Sequence, residues 1–434
     1  MTVRTGSMVA VACLPLVLAV THVSGNAPYP LDAAARTGIR RLAAYRLIQE
    51  GKMAGSLRLA PGARLPTEAI RLRLKGVNDA YDIGPDTPKD SALQAALERI
   101  VGRRHPSYRV AMLDITDPAQ PRYAEVRGGE GYIPGSVGKL LVMTGLFNEL
   151  KKRYPTDVEA RAALLRDTWI TADQWVIPNS HAVPVVNDDL TAVTHRAIRI
   201  GDRFSLWEWV DHMVSPSSNA AGSMVWKHAM LLDAFGQDYP VSIERAEAHF
   251  AGTPKARLSD RAVAVVEDPM LAAGLDTVGL RHRTMFTNTA QRMVPGRGSH
   301  ATPRQLVRWM LKLEQGKLVD EWSSLEMKRL IYFTRRRYRY ASSPALADAA
   351  VYFKSGSLYQ CAPEPGYECG QYRGNKQNLM HSVAIVESPA IGDRQRVYML
   401  SMMSNVPKIN SAGEHQEIAT QIERFMRTLH PDAP

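Results

Sequence analysis

Ala350-Val351-Tyr352-Phe353-Lys354-Ser355-Gly356-Ser357-Leu358 reads as a β-strand with a lysine in its middle. Val, Tyr and Phe favour the pleated, half-buried surface of a sheet. An unpaired ammonium is costly to bury on such a surface. Lys354 therefore either guards a sheet edge or faces a ligand. Gly356, directly after the Lys-Ser pair, lets a ligand or another backbone come close. Further along, residues 381–388 and 396–404 are runs rich in Val, Ile, Tyr and Met, and 414–429 closes as a helix with Ile418, Ile422, Phe425 and Met426 at helical spacing. Toward the N-terminus, 91–101 is an amphipathic helix, followed by strands at 109–115 and 123–126 around Pro118 and Pro121. Residues 132–154 are helical again. From 155 to 322 the signals are mostly helical, with irregular Pro- and Asn-rich inserts such as 177–189.

Helix, two strands, a helical block, three strands and a helix predict an α/β fold of the α+β type. Both ends of the chain, 87–131 and 345–434, supply the sheet domain, and a mostly helical domain, 132–344, is inserted between them. The helix at 132–154 lies at their interface, where a substrate cleft is expected. Residues 26–86 form an N-terminal appendage: a helical pattern over 31–50 ended by Gly51, a break at Pro61-Gly62, and a short capped helix start at Leu65-Pro66-Thr67-Glu68. A chain of 434 residues suits two or three domains, at roughly 150 residues each.

Hydrophobic residues at 45% and charged residues at 22% exclude a disordered or fibrous chain. The net charge of +11 favours an anionic neighbour such as a cell-wall polymer, membrane headgroups or nucleic acid. Residues 1–25 have the parts of a secretory signal: Arg4, an apolar stretch from Met8 to Val20 broken by Pro15, and Val23-Ser24-Gly25 as small residues at a cleavage site. The expectation is a secreted or periplasmic protein without a transmembrane segment after processing. Cys13 belongs to the leader. Cys361 and Cys369, around Pro363, Pro365 and Gly366 in an oxidising compartment, are expected to form a disulfide. Closing so short a loop stabilises by roughly 2–3 kcal/mol. The histidines show no metal-binding spacing, so neither metal nor cofactor is expected. Arg335-Arg336-Arg337-Tyr338-Arg339-Tyr340 reads as a solvated basic surface that could meet an anionic polymer. Export argues against nucleic acid as its partner. Trp207 and Trp209 share a helix with Leu206 and Val210 and read as core.

Pro134-Gly135-Ser136-Val137-Gly138-Lys139 is not a phosphate loop, because Ile133 stands where the first glycine should be and Leu140 follows the lysine. What remains is Ser136 and Lys139, three apart at a helix start and so on one face. A serine hydroxyl needs an adjacent base, and a lysine serves when burial and nearby cations leave it neutral. Ser217-Ser218-Asn219 follows, on a loop entering another helix, and Lys354-Ser355-Gly356 comes third.

With these three motifs in this order, the chain resembles the penicillin-recognising serine hydrolases, the class A β-lactamases and the D-alanyl-D-alanine peptidases. The resemblance runs from about 91 to 429 and includes Ala301-Thr302-Pro303-Arg304-Gln305-Leu306, similar to the helix start after that family's Ω-loop. It implies a β-lactamase-like antiparallel sheet with flanking N- and C-terminal helices and an inserted all-helical domain. It also implies roles. Ser136 would attack a β-lactam or D-Ala-D-Ala carbonyl, Lys139 would take its proton, and Ser217 would relay a proton to the leaving nitrogen. Asn219 would hold Lys139 and the substrate side chain, and Lys354 and Ser355 would bind the substrate carboxylate. The backbone N–H groups of Ser136 and Ser357 would form the oxyanion hole. The implied partner is a small β-lactam or a peptidoglycan stem peptide.

The chain departs from the family in two ways. The motif spacings are long, and residues 284–303 contain no Glu or Asp where class A enzymes place a deacylating glutamate. Glu267 and Asp268, well upstream, are the acids considered for that role. A secreted hydrolase of the β-lactamase type, a D,D-carboxypeptidase or transpeptidase, and a penicillin-binding sensor that does not hydrolyse its adduct all fit this pattern. The Cys361–Cys369 loop follows the Lys354 strand and is expected to border the cleft.

Overall fold

The computed structural model describes residues 32–179, 181–334 and 337–431. The expected leader, 1–25, lies outside them. Eleven strands occur among the described residues: β1 (Arg109–Asp114), β2 (Arg122–Val126), β3 (Trp169–Thr171), β4 (Ala182–Val186), β5 (Val193–Ala197), β6 (Arg203–Ser205), β7 (Leu280–Arg281), β8 (His300–Ala301), β9 (Ala350–Gln360), β10 (Gln377–Ser388) and β11 (Arg396–Asn405). Five of them build an antiparallel sheet in the order β2-β1-β11-β10-β9, so strands from both ends of the chain interleave.

Successive side chains of a strand point to opposite faces, and both faces of this sheet are buried. Ala111, Leu113, Tyr352, Val383, Ile385 and Met399 join the core under the inserted helices. Val110, Met112, Phe353, Ala384, Val386 and Leu400 face the helices Ser91–Val101 and Ala412–Leu429 instead. Ser91–Val101 is capped by Asp90, whose carboxylate accepts from the Leu93 N–H at 2.9 Å. This is the expected mixed fold, a β-lactamase-like antiparallel sheet flanked by terminal helices. The inserted part is mostly helical, but it carries three short ladders, β3–β6, β4–β5 and β7–β8. Runs of so few residues leave little period-two signal. No helix among the described residues is long and apolar enough to cross a membrane.

The expected helix over 31–50 is two helices, Ala33–Thr37 and Arg40–Gln49, parted at Gly38, whose φ of 69° ends the first one. The segment packs on the main core: Ile39, Leu42, Tyr45, Ile70 and Leu74 are buried in the same cluster as Leu140 and Leu306. A charged knot helps to hold it. The Arg73 side chain donates to Glu387 at 2.5 Å, and Glu387 with Glu314 clasps Lys328 at 2.8 and 2.6 Å. Burial works against the Glu387 charge, yet Lys328 and Arg73 hold its carboxyl below the usual range. Replacing Glu387 by Leu would leave Lys328 and Arg73 short of a partner in a buried place. We expect a loss of about 3–5 kcal/mol, read as a lower urea midpoint at unchanged slope.

Candidate active site

A 3-10 turn, Gly135–Gly138, leads into the helix Lys139–Arg153, and both face the edge strand β9. The approach is too close for side chains on either backbone. A Cβ on Gly356 would lie 2.4 Å from the Pro134 carbonyl oxygen. Gly135, at φ 53°, sits against the backbone of Ser357. This contact brings the Ser357 backbone nitrogen beside the turn that carries Ser136.

Lys139 is wholly buried, and its Nζ stands 2.9 Å from Ser136 Oγ. It donates to the Ser217 carbonyl and to Asn219 Oδ1, both at 2.7 Å. Burial, and then the charge of Lys354, push its pKa well below that of an ordinary lysine. A neutral amine has two N–H bonds and one lone pair. With the two carbonyl-type oxygens on its N–H bonds, the neutral form would keep its lone pair for the Ser136 hydroxyl.

Ser217 has a φ of 65°, a conformation that costs a non-glycine residue roughly 1–3 kcal/mol. It is held there by Lys139 on its carbonyl and by the next residue, since the Ser218 N–H donates to His212 O at 2.9 Å. Ser218 Oγ then caps the helix Asn219–Phe235. Lys354 Nζ donates to Ser217 Oγ at 2.8 Å, and Lys139 Nζ lies 3.4 Å from the same oxygen. One hydroxyl thus bridges the two amines. Burial, and then Arg339, lower the Lys354 pKa to about 7.

The structure therefore brings together Ser136, Lys139, Ser217, Asn219 and Lys354. Ser136, Ser217, Ser355 and Ser357 line one cleft of about 1190 Å³. Gly356 contributes close backbone packing. Cys361 and Cys369 form a disulfide with Cα atoms 6.0 Å apart, on an exposed loop beyond β9. Gln371 and Tyr372, just after it, reach the cleft.

The acids do not come to this site. Glu267 is engaged by Arg283 at 2.6 and 2.8 Å, Asp268 is exposed, and among the described residues no Asp or Glu lines the cleft. Against Lys139 stands the ring of Phe286, with its centroid 4.9 Å from Nζ, and His282 stacks behind it at 4.6 Å. Burial and the Lys139 charge lower the His282 pKa to about 3. No group of three or more His, Cys, Asp or Glu suited to a metal occurs among the described residues.

Three sets of cleft residues were not foreseen. The basic run at 335–340 is not a solvated surface where it is described. Arg339, in a left-handed conformation at φ 53°, is turned inward, donates to Gly356 O at 2.7 Å and packs on the Tyr338 and Tyr372 rings. Tyr338 hydrogen-bonds Ser355, and Tyr340 is fully buried. A count of charges along a sequence carries no direction, and here the backbone sets it. Arg335 and Arg336 lie outside the described residues. His181, at the start of the β4–β5 hairpin, is kept neutral by burial and by Lys139 and Lys354, with a pKa of about 4. The third set, Arg58 to Ala60, comes from the N-terminal segment. No local pattern in the sequence marks His181 or Arg58.

No protein-family model and no curated protein matches the chain. Among solved structures it is similar to a β-lactamase from Sphaerobacter thermophilus DSM 20745, at 14% identity and a TM-score of 0.50, over 79% of this chain and 98% of that one. It is likewise similar to the TLA-3 extended-spectrum β-lactamase, at 12% identity and a TM-score of 0.50, over 77% and 98%. At such identities the likeness shows a shared fold.

If Lys139 acts as a base toward Ser136, the arrangement of charges gives Ser136 labelling a pH dependence of defined sign. Labelling by an uncharged fluorophosphonate should rise as Lys139 loses its proton, at a pH well below that of an ordinary lysine. In Lys354→Met the like charge is gone, so the Lys139 pKa rises and the same limb moves to higher pH. Labelling rates measured across pH would check both.

Proposed function

We propose that the protein is a serine hydrolase that forms an acyl-enzyme at Ser136 with β-lactams or D-Ala-D-Ala-like peptides. The observation that carries this reading is the buried Lys139 amine, 2.9 Å from Ser136 Oγ with its other partners satisfied and no carboxylate paired to it among the described residues. In this reading Ser136 Oγ attacks the amide carbon as Lys139 takes its proton, and the new oxyanion is received by the Ser136 and Ser357 N–H groups. The C–N bond then breaks, and the leaving nitrogen takes a proton from Ser217, which is resupplied by Lys139 at 3.4 Å. Lys354, Ser355 and Arg339 attract the carboxylate next to the scissile bond. Water cleaves the ester in a second step and returns the proton to Oγ. The expected leader and the Cys361–Cys369 bridge support work in an oxidising compartment outside the cytoplasm.

Within this class, one observation favours a D,D-peptidase or a slowly turning over penicillin-binding protein over a fast β-lactamase. Phe286, not a carboxylate, faces Lys139, and no acid lines the cleft to activate water.

Intact-mass spectrometry after mixing with benzylpenicillin should show one adduct, absent in Ser136→Ala. Lys139→Ala should form it about 10²–10⁴-fold more slowly. The adduct on the native protein should persist for far longer than one lactamase turnover. An adduct that survives Ser136→Ala would overturn the assignment. With anionic substrates, kcat/KM should fall as pH rises through about 7, because Lys354 then loses the charge that attracts them.

A further inference from the structure

The cleft is larger than its reactive end requires. Pockets for drug-sized ligands run from about 300 to 1,000 Å³, and this one has about 1190 Å³. It is lined by Arg41, Arg58, Arg337 and Arg339 and by no carboxylate. Three of these arginines are engaged by the protein itself. Arg41 forms a two-pronged pair with Asp211 at 2.5 and 2.6 Å. Arg337 donates to the carbonyls of Leu346 and Ala349. Arg339 donates to Gly356 O and belongs to the Lys354 end of the site.

Arg58 differs from all three. It is exposed, and no hydrogen-bond or ion-pair partner engages it among the described residues. Its place is nonetheless held. Leu57 and Leu59, on either side, are partly buried against the main core, while Arg58 between them lines the cleft. His181 on the β4–β5 side is neutral, so it does not duplicate this charge. An arginine fork suits a planar carboxylate.

Resting on the acyl-serine reading above, we propose that Arg58 receives a second anionic group of the substrate, so that the preferred substrate is an extended peptide with an acidic side chain besides its terminal carboxylate. A simple penicillin with one carboxylate would fill only the Lys354 end. The N-terminal segment thereby becomes part of the specificity of the site.

The test is direct binding to the full-length Ser136→Ala protein, measured by calorimetry at low salt. The probes are acetyl-Glu-D-Ala-D-Ala and acetyl-Glu-Ala-D-Ala-D-Ala, each against its glutaminyl counterpart. At least one glutamyl peptide should bind about tenfold tighter than its amide, the effect of one charge-assisted contact. Adding Arg58→Gln should remove that preference and leave the glutaminyl peptides unchanged, and raised salt should shrink it. Equal binding of acid and amide, a preference that survives Arg58→Gln, or no binding of any peptide would each overturn the proposal. The acyl-serine reading is judged separately by the penicillin adduct at Ser136, so either can fail while the other stands.

Discussion

An amine sealed from water without a carboxylate against it is the constraint around which the rest is arranged. Lys139 cannot carry a charge there cheaply, because the burial penalty on an ammonium is not repaid by an ion pair. The surroundings suit the neutral form instead. Two oxygen acceptors on Ser217 and Asn219 take its N–H bonds, a phenyl face closes another side, and a second amine discourages protonation. Each of these would be a defect elsewhere in a protein. Together they favour the neutral amine, 2.9 Å from one hydroxyl.

Holding that arrangement requires three distant pieces of chain to meet to within a few tenths of an ångström. The edge strand β9 supplies Lys354 and meets the Ser136 turn at Gly356, where even a methyl group would collide. The helix Asn219–Phe235 supplies the third piece through a strained residue, Ser217. The cost of that backbone is offset by Lys139 and Lys354, which bind its carbonyl and hydroxyl. Burial of the sheet on both faces gives β9 a rigid backing. The site is thus a product of packing at a sheet edge rather than of any flexible loop closing over it.

The N-terminal segment changes the shape of the cleft without touching its chemistry. Its apolar residues join the main core, its Arg73 is tied into the buried knot around Lys328, and the stretch at 58–60 forms part of the cleft wall. A deeper cleft with unopposed positive charge follows from this placement.

The sequence by itself determined the elements and the local chemistry. The period-two runs of β9 to β11, the helix at 91–101 and the pairing of Ser136 with Lys139 depend on neighbours within a few residues, and such neighbours leave a readable pattern. The absence of an acid from 284–303 was legible in the same way. Only the tertiary structure decided what stands against Lys139, the ring of Phe286, and which side chains complete the cleft. Arg339 reads as part of a charge run until its backbone turns it inward, and Arg58 and His181 come to line the same cleft as Ser136 from distant stretches of chain. Contacts made at such separations impose no repeat on the residues between them, so no period or spacing announces them.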